Sequence, residues 1–122
     1  MRIILLIVFG AAGTLARYGL DGWIQYRVGS AFPAGTLTIN VLGCLCLGMI
    51  GRFSLNHIAV SPDLRIGLTT GLMGGFTTFS SFEWEMFALG RHTPPLALLY
   101  CISSVSVGWI ACWCGVMLVR RP

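Results

Sequence analysis

The sequence predicts an all-α membrane protein with four transmembrane helices, the third of which is broken in mid-membrane. Of its 122 residues, 56% are hydrophobic and only 10% are charged, whereas a soluble domain carries about a quarter charged residues. The apolar residues fall into four long segments, separated by short stretches that contain three of the five prolines. So few charged residues cannot cover a water-exposed surface. We therefore interpret the chain as a single integral-membrane domain in a lipid bilayer.

The four predicted spans cover residues 3–26, 34–55, 64–90 and 95–119. Each contains at least the roughly 20 residues that a helix needs to cross the hydrocarbon core. An even number of spans places both termini on one side of the membrane. The arginines flanking the spans on that side are Arg2, Arg52, Arg65, Arg120 and Arg121, and those on the other side are Arg27 and Arg91. This bias favours termini in the cytoplasm, where basic flanking residues are retained.

The first span carries two ionisable residues in its second half. Arg17 and Asp21 lie one helical turn apart, after Gly10 and Gly13, whose small surfaces allow close helix packing. One interpretation is an i,i+4 ion pair near the interface. The other is that Arg17 supplies positive potential to an anion path, because a charge within the membrane is costly and is usually functional. The residues alone leave both interpretations open.

The second span contains Asn40, whose amide needs hydrogen-bond partners within the membrane. The amide either bonds a neighbouring helix, which in membranes is worth about 1 kcal/mol, or donates to a ligand in a pore. Gly43 follows and leaves room beside the helix for another part of the backbone.

The third span contains the stretch on which the functional interpretation depends. Gly67 and Gly71 form a G-x-x-x-G pair, which is typical of tight helix contacts in membranes. Residues 71–82 combine three glycines, four hydroxyl side chains and three phenylalanines. Each glycine lowers helix stability by about 1 kcal/mol relative to alanine. Broken helices at membrane depth are tolerated only where they are buried in protein or line a wet cavity, so we predict a break here that binds an ion.

Aromatic and polar side chains recur at helical spacing after the predicted break and in the fourth span. Phe79, Phe82 and Glu85 follow every three residues and share one helical face, and in the uncharged fourth span Tyr100 and Ser104 lie one turn apart. Most of the polar side chains in the predicted spans can donate hydrogen bonds, and such donors suit an anion. The positive edges of aromatic rings also suit an anion. Main-chain carbonyls freed at the break would attract a cation instead. The candidate donors are Arg17, Asn40, Thr77, Thr78, Ser80, Ser81, Tyr100 and Ser104.

Other functions find little support in the residues. The basic residues are all arginine and are scattered singly, so the net charge of +4 does not indicate nucleic-acid binding. The five cysteines include two C-x-C pairs in apolar runs, where small buried hydrophobes are expected, and not the C-x-x-C spacing of zinc or thiol-redox sites. The sequence contains no nucleophile–base pair, phosphate loop or metal-ligand cluster. We therefore expect no enzyme activity.

Three motifs follow one another along the chain. They are GAAGTLARY at residues 10–18, GTLTINVLG at 35–43 and GLMGGFTTFSSF at 71–82. In order and spacing, over nearly the whole chain, they resemble the signatures of the Fluc (CrcB) fluoride channels. The resemblance implies an antiparallel, dual-topology homodimer in a bacterial inner membrane that exports fluoride passively and reduces its toxicity. It also implies two pores along the subunit interface and a structural sodium ion (Na⁺) at the dimer centre.

The resemblance further implies roles for individual residues. The sodium ligands would be the main-chain carbonyls of Gly74 and Thr77 from both subunits. Phe79 and Phe82 match the ring-edge pair along the pore, and Asn40 matches the pore asparagine. The other matches are the polar track (Ser81, Tyr100 and Ser104), the motif arginine (Arg17) and the acidic residue near a pore mouth (Glu85).

The residues also admit two other classes of membrane protein. A small four-helix drug/proton antiporter can form a dual-topology dimer, but it needs a membrane-embedded carboxylate, and the first span offers Arg17 instead. A membrane assembly subunit would not need hydrogen-bond donors in three spans. Both are kept as alternatives to the channel.

Overall fold

The computed structural model describes residues 1–56 and 60–119, and in these residues every regular element is a helix. The all-α class is therefore confirmed. Arg120 and Arg121, which contribute to the flanking charge bias, lie outside the described residues.

Five helices follow one another in the described part of the chain. They are α1 (Arg2–Val28), α2 (Ala34–Asn56), α3 (62–76), α4 (Phe79–Gly90) and α5 (Pro94–Leu118). By length and composition, α1, α2 and α5 can each cross a membrane. The third predicted span is divided between α3 and α4. Within α3, the backbone changes from α-helix (Pro62–Ile66) to π-helix (Gly67–Met73) and then to a last helical turn (Gly74–Phe76).

Local sequence signals determine where α1 ends and α3 begins. Gly29, with φ 61°, adopts the left-handed conformation that favours glycine, and its N–H donates to the carbonyl of Gln25 at 3.0 Å. The side chain of Ser61 accepts a hydrogen bond from the Leu64 N–H at 3.2 Å, with Pro62 in the first turn of the helix. These caps fix where α1 ends and where α3 begins.

α1 and α3 pack backbone to backbone through glycines. A Cβ atom at Gly13 would lie 2.2 Å from the carbonyl oxygen of Leu72, and one at Gly75 would lie 2.5 Å from the carbonyl oxygen of Gly10. A Cβ at Gly71 would lie 3.2 Å from the Cβ of Phe9. Gly13 and Gly75 therefore leave no room for a side chain, and the small-residue helix contact that the sequence indicated is confirmed.

α2 also packs against α5 backbone to backbone through glycines. α4, in contrast, packs on α5 through larger side chains. A Cβ at Gly48 would lie 2.2 Å from the carbonyl oxygen of Cys112, and one at Gly115 would lie 2.2 Å from that of Leu45. The core between α4 and α5 contains Phe82, Leu89, Ala97 and Tyr100. The π-helical half of the third span thus contacts α1, while its second half contacts α5.

The break lies within residues 71–82 as predicted, but at two threonines rather than at the glycines. Thr77 and Thr78 have extended backbone, with ψ angles of 155° and 115°, whereas Gly74 is helical with φ −64° and ψ −34°. Gly71 and Gly75 instead face the backbone of α1. The glycines therefore serve helix packing, and the β-branched threonines, which favour extended backbone, interrupt the helix.

Candidate functional site

Several of the predicted pore residues meet in one recess where the broken helix passes α2 and α5. The recess has a volume of about 240 Å³. Its polar and aromatic lining residues are Asn40, Thr77, Thr78, Phe79, Phe82 and Ser104. They come from α2, α4, α5 and the break, so the interruption of the third span brings together groups that are distant in the sequence.

Asn40 bonds the main chain of the break with both ends of its amide. Its Oδ1 accepts a hydrogen bond from the Thr78 N–H at 2.8 Å, and its Nδ2 donates to the Thr78 carbonyl at 3.1 Å. The amide therefore replaces the two helical partners that extended Thr78 lacks. The bond to a neighbouring segment, one of the two interpretations of Asn40, is present, and the second hydrogen on Nδ2 is still available to a ligand in the recess.

The phenylalanine rings form a line from the surface of the chain to its core. The centroids of Phe79 and Phe82 are 5.7 Å apart, with 45° between the ring planes. Phe82 is only 5% exposed and packs against Tyr100 at 5.1 Å, and Tyr100 meets Phe32 edge-on at 5.5 Å. Phe79, in contrast, is 73% exposed. The outer ring of the pair is thus left uncovered by this chain.

The predicted polar track is divided between different environments. The Ser104 hydroxyl lies at the recess, buried, and has no hydrogen-bond partner within the described residues. Ser81 lies in the first turn of α4, where its N–H donates to Thr78 Oγ1 at 3.2 Å and its hydroxyl accepts from the same group at 2.9 Å. Thr78 therefore caps α4, and the hydroxyl of Ser81 takes part in that cap.

Glu85 accepts hydrogen bonds from two buried hydroxyls. Thr36 Oγ1 donates to Glu85 Oε1 at 2.7 Å, and the Tyr100 hydroxyl donates to Oε2 at 2.8 Å. Thr36 is 1% exposed and Tyr100 is fully buried. Because these bonds connect α4 to α2 and α5, the predicted acidic residue and one predicted track residue belong to a single network.

Arg17 bonds the third span rather than its neighbour on α1. Its Nε donates to the Gly75 carbonyl at 3.3 Å, and within the described residues Arg17 and Asp21 form no direct ion pair. Both residues nevertheless line, together with Glu85, a second recess of about 430 Å³. Arg17 thus brings its positive charge beside the break and to this second recess.

The carbonyls of Gly74 and Thr77 have lost their helical donors. In a continuous helix they would accept from the N–H groups of Thr78 and Ser81, but those groups donate to the side chains of Asn40 and Thr78. Among the described residues, neither carbonyl accepts a main-chain hydrogen bond, and Gly74 is exposed. The same residues contain no cluster of His, Cys, Asp or Glu that could hold a metal. Both carbonyls therefore offer an oxygen without a main-chain donor, and oxygen is the ligand type that a hard cation prefers.

Two residues of the site, both on α2, are not among the candidates that the sequence indicates. Thr36, which bonds Glu85, precedes Asn40 by one turn, and Cys44 follows Asn40 by one turn and lines the first recess. The sequence predicts a small buried hydrophobe at this position, whereas Cys44 is half-buried and lines the recess. The signal that could have identified both was the i, i+4, i+8 spacing, which places all three side chains on one face of the helix.

Known proteins are similar to this chain over nearly its whole length. A family model described as CrcB-like protein, Camphor Resistance (CrcB), matches residues 4–116. The chain is similar to the fluoride-specific ion channel FluC of Geotalea uraniireducens, with 43% identity over 119 residues that cover 97% of this chain and 96% of that protein. It is also similar to the fluoride-specific ion channel FluC of Geobacter metallireducens, with 44% identity over 122 residues that cover 99% and 98% of the two chains.

Proposed function

This chain belongs to the CrcB family, and we propose that it is a fluoride-specific channel that lets fluoride leave the cytoplasm passively and so reduces its toxicity. The protein is a multi-pass membrane protein, which we assign to a bacterial inner membrane. It is a channel and not an enzyme, because an ion crosses the membrane without any bond being made or broken. Family membership also separates it from the drug/proton antiporters and assembly subunits considered above.

The recess beside the break is the observation that carries this proposal. The Ser104 hydroxyl is buried without a partner there, and the amide of Asn40 has a hydrogen to spare. The rings of Phe79 and Phe82 line the same space, and the positive edge of an aromatic ring attracts an anion. Fluoride is small and accepts strong hydrogen bonds, so it suits a narrow path of hydroxyls and ring edges. The low dielectric of a recess in the membrane strengthens each of these interactions.

The functional unit in this proposal is an antiparallel, dual-topology homodimer with two pores. One chain leaves the ring of Phe79 73% exposed and the main chain of Gly74 uncovered. A second copy would close the open side of the recess and bring a second Gly74 towards the first. In this proposal Ser81, Tyr100 and Ser104 are the polar track; Ser104 reaches the first recess, whereas the hydroxyls of Ser81 and Tyr100 bond Thr78 and Glu85. Glu85 lies near the pore mouth, at the second recess that Arg17 also lines.

A structural sodium ion at the dimer centre is the remaining part of the proposal. The carbonyls of Gly74 and Thr77 lack their helical donors, and two copies would supply four such oxygens. When bound, sodium would offset the partial negative charge of these oxygens and hold the subunits together. The positive charge would also favour an anion in a neighbouring pore.

Fluoride efflux from liposomes tests the channel directly. Purified protein is reconstituted with potassium fluoride inside, and release is followed with a fluoride electrode after valinomycin is added. We expect rapid release of fluoride and none of chloride in the matched chloride liposomes. Flux that requires a proton gradient would indicate an antiporter, equal flux of chloride would reject selectivity, and no flux would indicate an assembly subunit.

Ring substitutions test the path. Phe79→Ile and Phe82→Ile keep an apolar side chain but remove the polarised ring edge, so each should lower fluoride release at least tenfold while the protein still elutes as a dimer. Phe87→Ile is the matched control, since Phe87 is an exposed phenylalanine on the same helix that does not line the recess. Unchanged release by both pore variants would reject the ring-edge role.

A further inference from the structure

Asn40 bonds the main chain at the break of the third span. In a continuous helix the Thr78 N–H would donate to the carbonyl of Gly74. Here the N–H donates to Asn40 Oδ1 at 2.8 Å, while Asn40 Nδ2 donates to the Thr78 carbonyl at 3.1 Å. One side chain on α2 thus satisfies both main-chain groups of the residue at the break, and the Gly74 carbonyl is left without its donor.

A second, local contact does the same for Thr77. Its carbonyl would ordinarily accept from the Ser81 N–H, but that group donates to Thr78 Oγ1 at 3.2 Å. Thr78 is therefore held by Asn40 on its main chain and caps α4 with its side chain. The two carbonyls released in this way are the two that the proposed function assigns to sodium.

A third contact occupies the carbonyl of Gly75, which is next to Gly74 in the sequence. Arg17 Nε donates to the carbonyl of Gly75 at 3.3 Å, so that neighbouring oxygen is already bonded to a cationic side chain. Asn40 and Arg17 approach from different helices and bond Thr78 and Gly75, and the Gly74 carbonyl between these contacts and the rest of α3 is left without a donor. Unsatisfied main-chain carbonyls are costly in a membrane, and a bound cation would remove that cost.

We infer that Asn40 is a positioning residue for the sodium site: by bonding Thr78 it prevents the helix from closing across the break and keeps the Gly74 carbonyl available to the ion. This inference rests on the sodium site of the proposed function. It couples the two ions of the channel, because the amide that orients the cation ligand also lines the anion recess. A substitution of Asn40 should therefore alter sodium binding as well as fluoride flux.

Sodium titration of protein stability tests the inference without measuring flux. The full-length protein, purified in detergent with N-methylglucamine replacing sodium, is titrated with sodium chloride while its unfolding midpoint is read from the fluorescence of its four tryptophans. In the wild type we expect sodium to raise the midpoint, because an ion bound only to the folded dimer stabilises it. Asn40→Leu removes both bonds to Thr78 and should raise the half-saturating sodium concentration at least tenfold.

Two variants separate positioning from a general loss of structure or of the pore. Asn40→Asp keeps the oxygen that accepts from Thr78, so it should retain the sodium response while losing fluoride flux. Ser104→Ala is the matched control in the same recess, and it breaks no hydrogen bond, so it too should titrate like the wild type. A wild-type titration curve for Asn40→Leu would overturn the inference.

Asn40→Ala keeps the test decisive if Asn40→Leu does not yield folded dimer. It also removes both bonds to Thr78, without adding bulk at the recess, and so it should also shift the titration to higher sodium. An unshifted curve for folded Asn40→Ala dimer overturns the inference. If sodium does not raise the unfolding midpoint of the wild-type protein, both the sodium site and the inference are wrong. The liposome assay tests the fluoride channel separately.

Discussion

The two halves of the third span differ in how they contact the rest of the protein. α3 meets α1 through main-chain atoms, with Gly13 and Gly75 pressed against carbonyl oxygens of the opposite helix. α4 meets α2 and α5 through side chains, namely the ring of Phe82 and the carboxylate of Glu85. Between them, Thr77 and Thr78 are extended. The first half therefore depends on the absence of side chains, and the second half depends on their chemistry.

This difference separates two tasks along one helix. Close backbone packing fixes α3 and so fixes the carbonyls at its end, which are the proposed cation ligands. Side-chain bonding fixes α4 and so fixes the rings and hydroxyls of the proposed anion path. Substitutions in the two halves should consequently damage the protein for different reasons. In α3 and α1 the damage should come from added side-chain volume. In α4, α2 and α5 it should come from the loss of polar or aromatic groups.

The largest effect is expected where a methyl group is added at the α1–α3 contact. Gly13→Ala would place a Cβ 2.2 Å from the Leu72 carbonyl oxygen and 2.9 Å from the Phe76 nitrogen. Backbone cannot move aside as a flexible side chain can, so we expect the free energy of unfolding to fall by about 3 kcal/mol. Thermal unfolding and the yield of monodisperse protein measure this effect.

Gly10→Ala is the matched control on the same face of α1. Its Cβ would meet only the Gly71 carbonyl oxygen, at 3.9 Å, so its stability should remain within about 1 kcal/mol of the wild type. Equal stability of Gly13→Ala and Gly10→Ala would show that the α1–α3 contact is not packed main chain to main chain.

A smaller loss is expected when the carboxylate of α4 is removed. Glu85→Ala leaves the buried hydroxyls of Thr36 and Tyr100 without their acceptor, which should cost about 2 kcal/mol of unfolding free energy. Glu83→Ala, an exposed position on the same helix, should change it by less than about 0.5 kcal/mol. Chemical or thermal unfolding in detergent compares the two, and similar losses would contradict a special role for the Glu85 network.

The smallest effect on stability is expected at the recess itself. Ser104→Ala removes a buried hydroxyl that has no partner among the described residues, so the unfolding free energy should change by less than about 0.5 kcal/mol. Fluoride release should nevertheless fall, because the anion loses a donor. Ser103→Ala is the control, since that hydroxyl donates to the Tyr100 carbonyl of its own helix at 3.1 Å. A flux loss in Ser103→Ala equal to that in Ser104→Ala would remove Ser104 from the path.

Much of the site could be located from the sequence, because helical spacing decides which residues share a face. The spacing of Phe79 and Phe82 indicated neighbouring rings, and the mixture of glycines and hydroxyls in residues 71–82 indicated a break in the third span. The partners of these residues could not be predicted. Arg17 and Asp21 have the spacing of an ion pair, yet Arg17 bonds the Gly75 carbonyl because α3 passes close enough to offer it.

The sequence by itself determined the class, the spans and the candidate residues, because composition, the length of apolar runs and residue spacing are properties of the local chain. It also determined family membership, because the three motifs are contiguous segments. Tertiary structure alone decided that the glycines pack α1 while the threonines form the break. It also decided that Asn40 bonds Thr78 and that Glu85 joins Thr36 to Tyr100. These outcomes depend on distances between helices, which are set by packing of the whole chain and not by any local stretch of it.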